Sequence, residues 1–136
     1  MNFALILPVG GPLMPPQQEA EIVSKRRRIA VWRMTIEMLS KIHRGHFPGR
    51  RFGTNLDRLL LLGAMVAMHG QNKIINASTL SRYIDMPRET VRRGIGDLVD
   101  LSLLARQGER YTPTQKVIAA HADAIADLIK RAAAML

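Results

Sequence analysis

Apolar residues recur at helical spacing over most of this chain. Between 17 and 44, Ile22, Ile29 and Ile36 repeat every seven residues, and Trp32 and Leu39 form a second set at the same spacing. Together they make one stripe suited to helix-on-helix packing. Lys25 falls where the stripe would continue, so a strict coiled coil is not indicated. Glu19 and Glu21 near the start, and Lys41 and Arg44 near the end, suit the helix dipole, and Gly45 reads as the stop. The segment 45–53, GHFPGRRFG, is a loop by composition. Its Phe47 and Phe52 are expected to plug the core, with a DNA-backbone role for Arg50 and Arg51 as the alternative. Thr54 is the expected cap of a buried helix to about Met68, ending near Gly70, with Asp57 at its third position.

The organising stretch is 77–104, ASTLSRYIDMPRETVRRGIGDLVDLSLL. It predicts a short helix over 78–84, a turn at Asp85-Met86-Pro87, and a second helix over 88–101. Pro87 lacks an N–H and disfavours helix at Met86, yet its fixed φ suits the first turn of a new helix. Val91, Ile95, Leu98 and Val99 form the core-facing side of that second helix, and Arg88, Glu89, Arg92, Arg93 and Gly96 fall away from it. This is the pattern of a helix-turn-helix, although arginines on a helix are often only a solvated face. Two short strands follow around Gly108-Glu109, over 103–107 and 110–112, a legitimate tight hairpin. Ile74-Ile75 is the candidate third strand, and Asn76 or Ser78 the cap of the short helix. Thr114 can cap a last helix over 115–135, whose apolar side is Val117, Ile118, Ile125, Leu128 and Ile129.

The chain has 136 residues, enough for one modest core, and 47% of them are hydrophobic. The expected organisation is an extended arm over 1–16 and a single domain over 17–136. The arm's apolar run, Phe3 to Leu7, lacks the basic start of a secretory signal and meets Pro8, so docking on the body or on a partner is expected. The formal charge is +9 and the pI about 11.1. Such an excess implies an anionic partner, nucleic acid first and an acidic membrane surface second. The run Lys25-Arg26-Arg27-Arg28 wraps around its helix and reads as a solvated face. No apolar run has the length to cross a bilayer.

The absence of cysteine removes disulfides, thiolate catalysis and cysteine-ligated zinc, and fits a cytoplasmic setting. Eight methionines and few aromatics point to a helical, adaptable core. No catalytic constellation is present. His43 and His46 are three apart and could share a metal, but with no carboxylate cluster nearby they read as surface or satisfied histidines, and no metal or cofactor is expected. The glycines form no phosphate-binding loop. The sequon Asn76-Ala77-Ser78 is set aside because nothing indicates secretion.

In this order of elements the chain resembles the MarR-type winged-helix transcription regulators, most firmly over 56–115. The segment PRETVRRGIGDLVDLSLL is similar to winged-helix readers in general, with Ser102 where many have glycine. The family's longer wing with an Asp-x-Arg signature is here ARQGERY, with Glu109-Arg110 in its place. The expected fold is therefore mainly α: a winged helix-turn-helix core over 54–113, with long terminal helices expected to form a homodimer interface. The expected function is sequence-specific binding of double-stranded DNA as a transcription regulator. The helix from Arg88 would enter the major groove, offering Arg88, Glu89, Thr90, Arg92 and Arg93 to bases or adjacent phosphates. Ser78, Thr79 and Arg82 would position against phosphate, and Arg106 and Arg110 would reach the flanking groove or backbone. A small-molecule effector is common in that family, but no residue here can be named for one. The alternatives are a winged-helix protein-interaction module and a component of a replication or partition system.

Overall fold

The computed structural model describes residues 14–135 and is mainly helical, with one small antiparallel sheet. The arm expected over 1–16 therefore falls outside the described residues up to residue 13. In chain order the elements are α1 (Pro16–His46), α2 (Leu56–Gly70), α3 (Ala77–Ile84), α4 (Arg88–Asp100), β1 (Leu104–Gln107), β2 (Arg110–Pro113) and α5 (Gln115–Ala133). Contacts divide the chain into two units, one ending at Thr35 and one beginning at Ile36.

The first unit contains the opening turns of α1. Pro16 occupies the first helical position, where its missing N–H is no loss, and the Pro15 carbonyl accepts from Gln18 N and Glu19 N. Arg28 reaches one turn back to the Ser24 hydroxyl at 2.8 Å. Ile22, Ile29 and Trp32 of the expected stripe are exposed, Trp32 by 66%.

The second unit holds the core. Leu61, Leu62 and Met65 of α2 are fully buried, with Leu80 of α3, Val91 and Leu98 of α4, and Val117 of α5. α2 is the central strut, packed by α3, α4, β2 and α5. The end of α1 contributes Ile42 to this core. Gly45 does not stop α1; the helix runs to His46, and Pro48 ends it by disfavouring helix at Phe47. Phe47 (1% exposed) and the partly buried Phe52 then plug the core as the sequence suggested. On α5, His121 and Ala124 are buried, whereas Ile125 and Ile129 of its expected apolar side are exposed.

Of the expected caps, Asn76 on α3 holds and Thr54 on α2 does not. Thr54 does not cap α2; its hydroxyl donates to the Arg51 carbonyl at 3.2 Å, and Asn55 takes the N-cap position. Buried Asn55 directs its amide to His43 Nε2 at 3.1 Å, while the Asp57 carboxylate accepts from Arg58 N. α3 is capped by Asn76, whose side chain accepts from Thr79 N as the Thr79 hydroxyl accepts from Asn76 N, both at 2.9 Å. α2, α3 and α4 end alike. Asn72, Asp85 and Ser102 take left-handed backbone with φ of 56°, 52° and 61°. The next N–H then reaches five residues back, Lys73 to Met68, Met86 to Ser81 and Leu103 to Leu98. Ser102 thus occupies a glycine-type position.

The hairpin pairs Leu104 with Pro113, Ala105 with Thr112, Arg106 with Tyr111 and Gln107 with Arg110. Gly108 (φ 66°) supplies the left-handed residue of its two-residue turn. Ile74-Ile75 does not form the expected third strand. One bond, Tyr111 N to the Ile75 carbonyl at 3.0 Å, is made before Asn76 turns the chain into α3.

α4 approaches α2 closely at Gly94. A Cβ there would overlap Leu61 Cδ1, and Leu61 is fully buried, so the side chain must repack within the core. Gly94→Ala is expected to cost about 1–3 kcal/mol through overpacking, despite alanine's better helix propensity. Urea unfolding checks this, and an unchanged midpoint would mean that Leu61 swings aside.

Candidate nucleic-acid interface

The turn at Asp85-Met86-Pro87 joins the end of α3 to the start of α4, and the hairpin comes back to face both helices. Between them lies an open cleft of about 640 Å³. α4 lines it with Arg88, Arg92 and Gly96, spaced four apart on one helical face, and with Ile95, Val99 and Asp100. The start of α3 adds Ser78, and the hairpin adds Arg106, Glu109 and Tyr111.

Strand alternation selects the hairpin residues. Arg106 and Tyr111 are cross-strand partners, so they share the face that looks over the cleft. Arg110 pairs with Gln107 and belongs to the other face, so the two hairpin arginines singled out in the sequence do not converge. Arg106 is steadied by its Nε donating to the Gly108 carbonyl at 2.9 Å.

The remaining candidates divide by what they already hold. Glu89 and Arg93 form an exposed i,i+4 pair at 3.4 Å outside the cleft. Thr90 is half-buried, and the Thr79 hydroxyl is committed to the α3 cap. Arg82 is exposed on α3. Gly96, Tyr111, Asp100 and Glu109 were not singled out for the site. Gly96 and Asp100 continue the four-residue spacing of Arg88 and Arg92, whereas Tyr111 and Glu109 join them only through the packing of the hairpin near α4.

Behind the cleft, arginines serve the fold. Arg50 grips Asp97 of α4 with two bonds of 2.5 and 2.9 Å, and Arg58 Nε adds a third at 3.2 Å. Arg50 also lies over the Phe47 ring at 5.8 Å. The Arg50 hydrogen bond holds the Asp97 carboxyl below the usual carboxylate range, with Arg58 assisting, and raises the Arg50 guanidinium in turn. The loop arginine that could have touched DNA is thus a tie to α4. Asp97→Asn is expected to cost about 1 kcal/mol, since the groups are partly solvated. The folded Asp97 pKa is depressed, so its contribution is present above the usual carboxylate pKa of about 4 and fades as pH falls through the lower folded value. Denaturant titration at neutral pH checks the loss; equal stability would mean that Arg58 and Arg50 find other acceptors.

Three histidines are buried. His43 stacks on Phe47 at 5.2 Å, and burial lowers its pKa, with Arg50 adding to the effect. His46 stacks on His121 at 5.6 Å, and both of its ring nitrogens are buried without a hydrogen-bond partner. His121 Nδ1 donates to the Val117 carbonyl at 2.9 Å. Among the described residues no group of three or more His, Asp or Glu is placed to hold a metal ion, and no helix is long and apolar enough to cross a membrane.

No family model, characterised protein or solved structure matches this chain.

Proposed function

We propose that this protein is a sequence-specific, double-stranded DNA-binding transcription regulator built as a winged helix-turn-helix of MarR-like kind, a binding protein and not an enzyme. In this reading α3 and α4 are the helix-turn-helix and the β1–β2 hairpin is the wing. α4 enters the major groove through Arg88 and Arg92, with Glu89, Thr90 and Arg93 beside them. Ser78 and Arg82 meet the backbone, and Arg106 and Arg110 reach the flanking groove from the two faces of the wing.

The observation that carries this reading is the division of labour among arginines. Arg50, Arg58, Arg93 and Arg131 have carboxylate partners. Arg88 and Arg92 have none among the described residues, and they converge with Arg106 on one cleft. Desolvating a free guanidinium toward phosphate breaks no existing ion pair, and guanidinium reads guanine bidentately.

A homodimer belongs to the proposal. Ile36, Ile125 and Ile129 are exposed on α1 and α5, and an apolar groove of about 600 Å³ runs past Leu39, Leu60, Gly63 and Ile125. A second copy covering these faces would pair two half-sites.

The test is selection of bound duplexes from a random pool, followed by titration against salt. A two-fold symmetric motif is expected, with a slope of log K against log salt of about −3 per protomer if the three cleft arginines each meet a phosphate. A motif without symmetry would remove the dimer. Absence of binding at low salt would favour the protein-interaction alternative. A target that maps to an origin or partition site, and not to promoters, would favour the replication or partition alternative.

A further inference from the structure

Gly96 is a glycine that the fold does not require. It lies inside α4, exposed, and its φ is not left-handed. A Cβ built there meets no protein atom within 4 Å. Glycine is the weakest helix former after proline, so alanine would serve the helix better. Gly94, two residues earlier, has a reason inside the protein, because Leu61 fills the space where its side chain would be. Gly96 has open solvent instead, on the face that carries Arg88 and Arg92 and across the cleft from Arg106 and Tyr111.

We propose that Gly96 is a close-approach position that seats the duplex, where the sugar edge of one DNA strand runs against the bare backbone of α4. This rests on the duplex-binding reading above. A glycine where the protein leaves space is what close approach of an external chain requires. Arg88, Arg92 and Arg106 supply the cations for the strand's phosphates. Asp100, one turn beyond Gly96, opposes a phosphate at that end of the cleft. The uncharged sugar is therefore the part that meets Gly96, and the phosphates lie toward Arg88. A methyl group at 96 would hold the strand away from the helix and lengthen the arginine contacts together.

The experiment compares Gly96→Ala, Gly96→Leu and, as a control, Gly45→Ala. Gly45 is a second exposed helical glycine, on α1, whose Cβ would also meet nothing within 4 Å. Each variant is titrated with a mixed-sequence DNA duplex of about 20 base pairs at about 50 mM salt, and its Tm is measured. Both alanine variants are expected to melt about 3 °C higher than wild type. Gly96→Ala is expected to bind about tenfold more weakly, and Gly96→Leu weaker still, whereas Gly45→Ala binds as wild type does. Wild-type affinity in Gly96→Ala would overturn the proposal. So would a lowered Tm in Gly96→Ala, because the glycine would then serve the fold. Failure of the wild-type protein itself to bind duplex would instead remove the DNA reading, and this inference with it.

Discussion

Replacing Arg88 and Arg92 together by alanine is expected to reduce binding to a selected duplex by at least about thirtyfold, with little loss of stability. Each arginine that reads a base or grips a phosphate is worth about 1–3 kcal/mol. The two lie on one helical face and open onto the same cleft. Neither holds an ion pair within the described chain, so their removal costs the fold about 0.5 kcal/mol at most. The single variants separate their roles. A base-reading arginine, once lost, relaxes preference at one position; a phosphate-binding one weakens all sequences alike and lowers the salt slope by about one. Arg93→Ala is the internal comparison. Its guanidinium already shares charge with Glu89 outside the cleft, so a smaller loss is expected. Fluorescence anisotropy with selected and scrambled duplexes measures all of these. A double variant that binds as the wild type does would show that α4 does not read DNA through this face.

Acidification from pH 7 to about 4.5 is expected to remove about 2–3 kcal/mol of stability through His46 alone. Its pKa is pushed down to about 4, first by burial and then by the positive potential of His121 and Lys116. In the unfolded chain the same imidazole titrates near 6.5. Between these values the unfolded state binds a proton that the folded state refuses, so stability falls as pH falls through that window. The geometry explains the refusal. His46 stands parallel to His121 with an interplanar angle of 14°, and no acceptor meets either of its nitrogens. A protonated ring there would be a buried cation with nothing to pair with. His46→Phe keeps a ring in the stack and removes the proton site, so its stability should change far less over the same range. His43 is lowered in the same direction and leaves a smaller residual slope, and Asp97 adds its own loss only at more acid pH. Urea unfolding of both proteins at several pH values decides the matter. If His46→Phe loses stability as steeply as the wild type, His46 is not the group responsible.

Local chemistry made much of the fold legible. The break at Pro87, the hairpin at Gly108-Glu109, the apolar face of α4 and the two plugging phenylalanines all follow from signals carried within a few residues. Ser102 illustrates the limit of such signals. Its position is recognisably a glycine position, yet only the backbone reveals the left-handed conformation that makes it one. The caps were harder, because a capping side chain chooses among partners that folding brings near. Thr54 stood at the right spacing, but Asn55 entered the core and bonded to His43, twelve residues away.

The candidate site divides in the same way. Composition and local pattern carry most of the elements, the strongly basic balance, the absence of cysteine chemistry, and the arginines on and around α4. Tertiary structure alone decided which arginines remain free. Arg50 is drawn to Asp97 across 47 residues, and Arg131 to Glu37 across 94, because packing, not spacing, sets those distances. It also decided that Arg106 faces the cleft while Arg110 does not, since strand register assigns alternate residues to opposite faces. The two inner glycines of α4 look alike in sequence. Only the placement of α2 shows that Gly94 makes room for Leu61 while Gly96 faces open space.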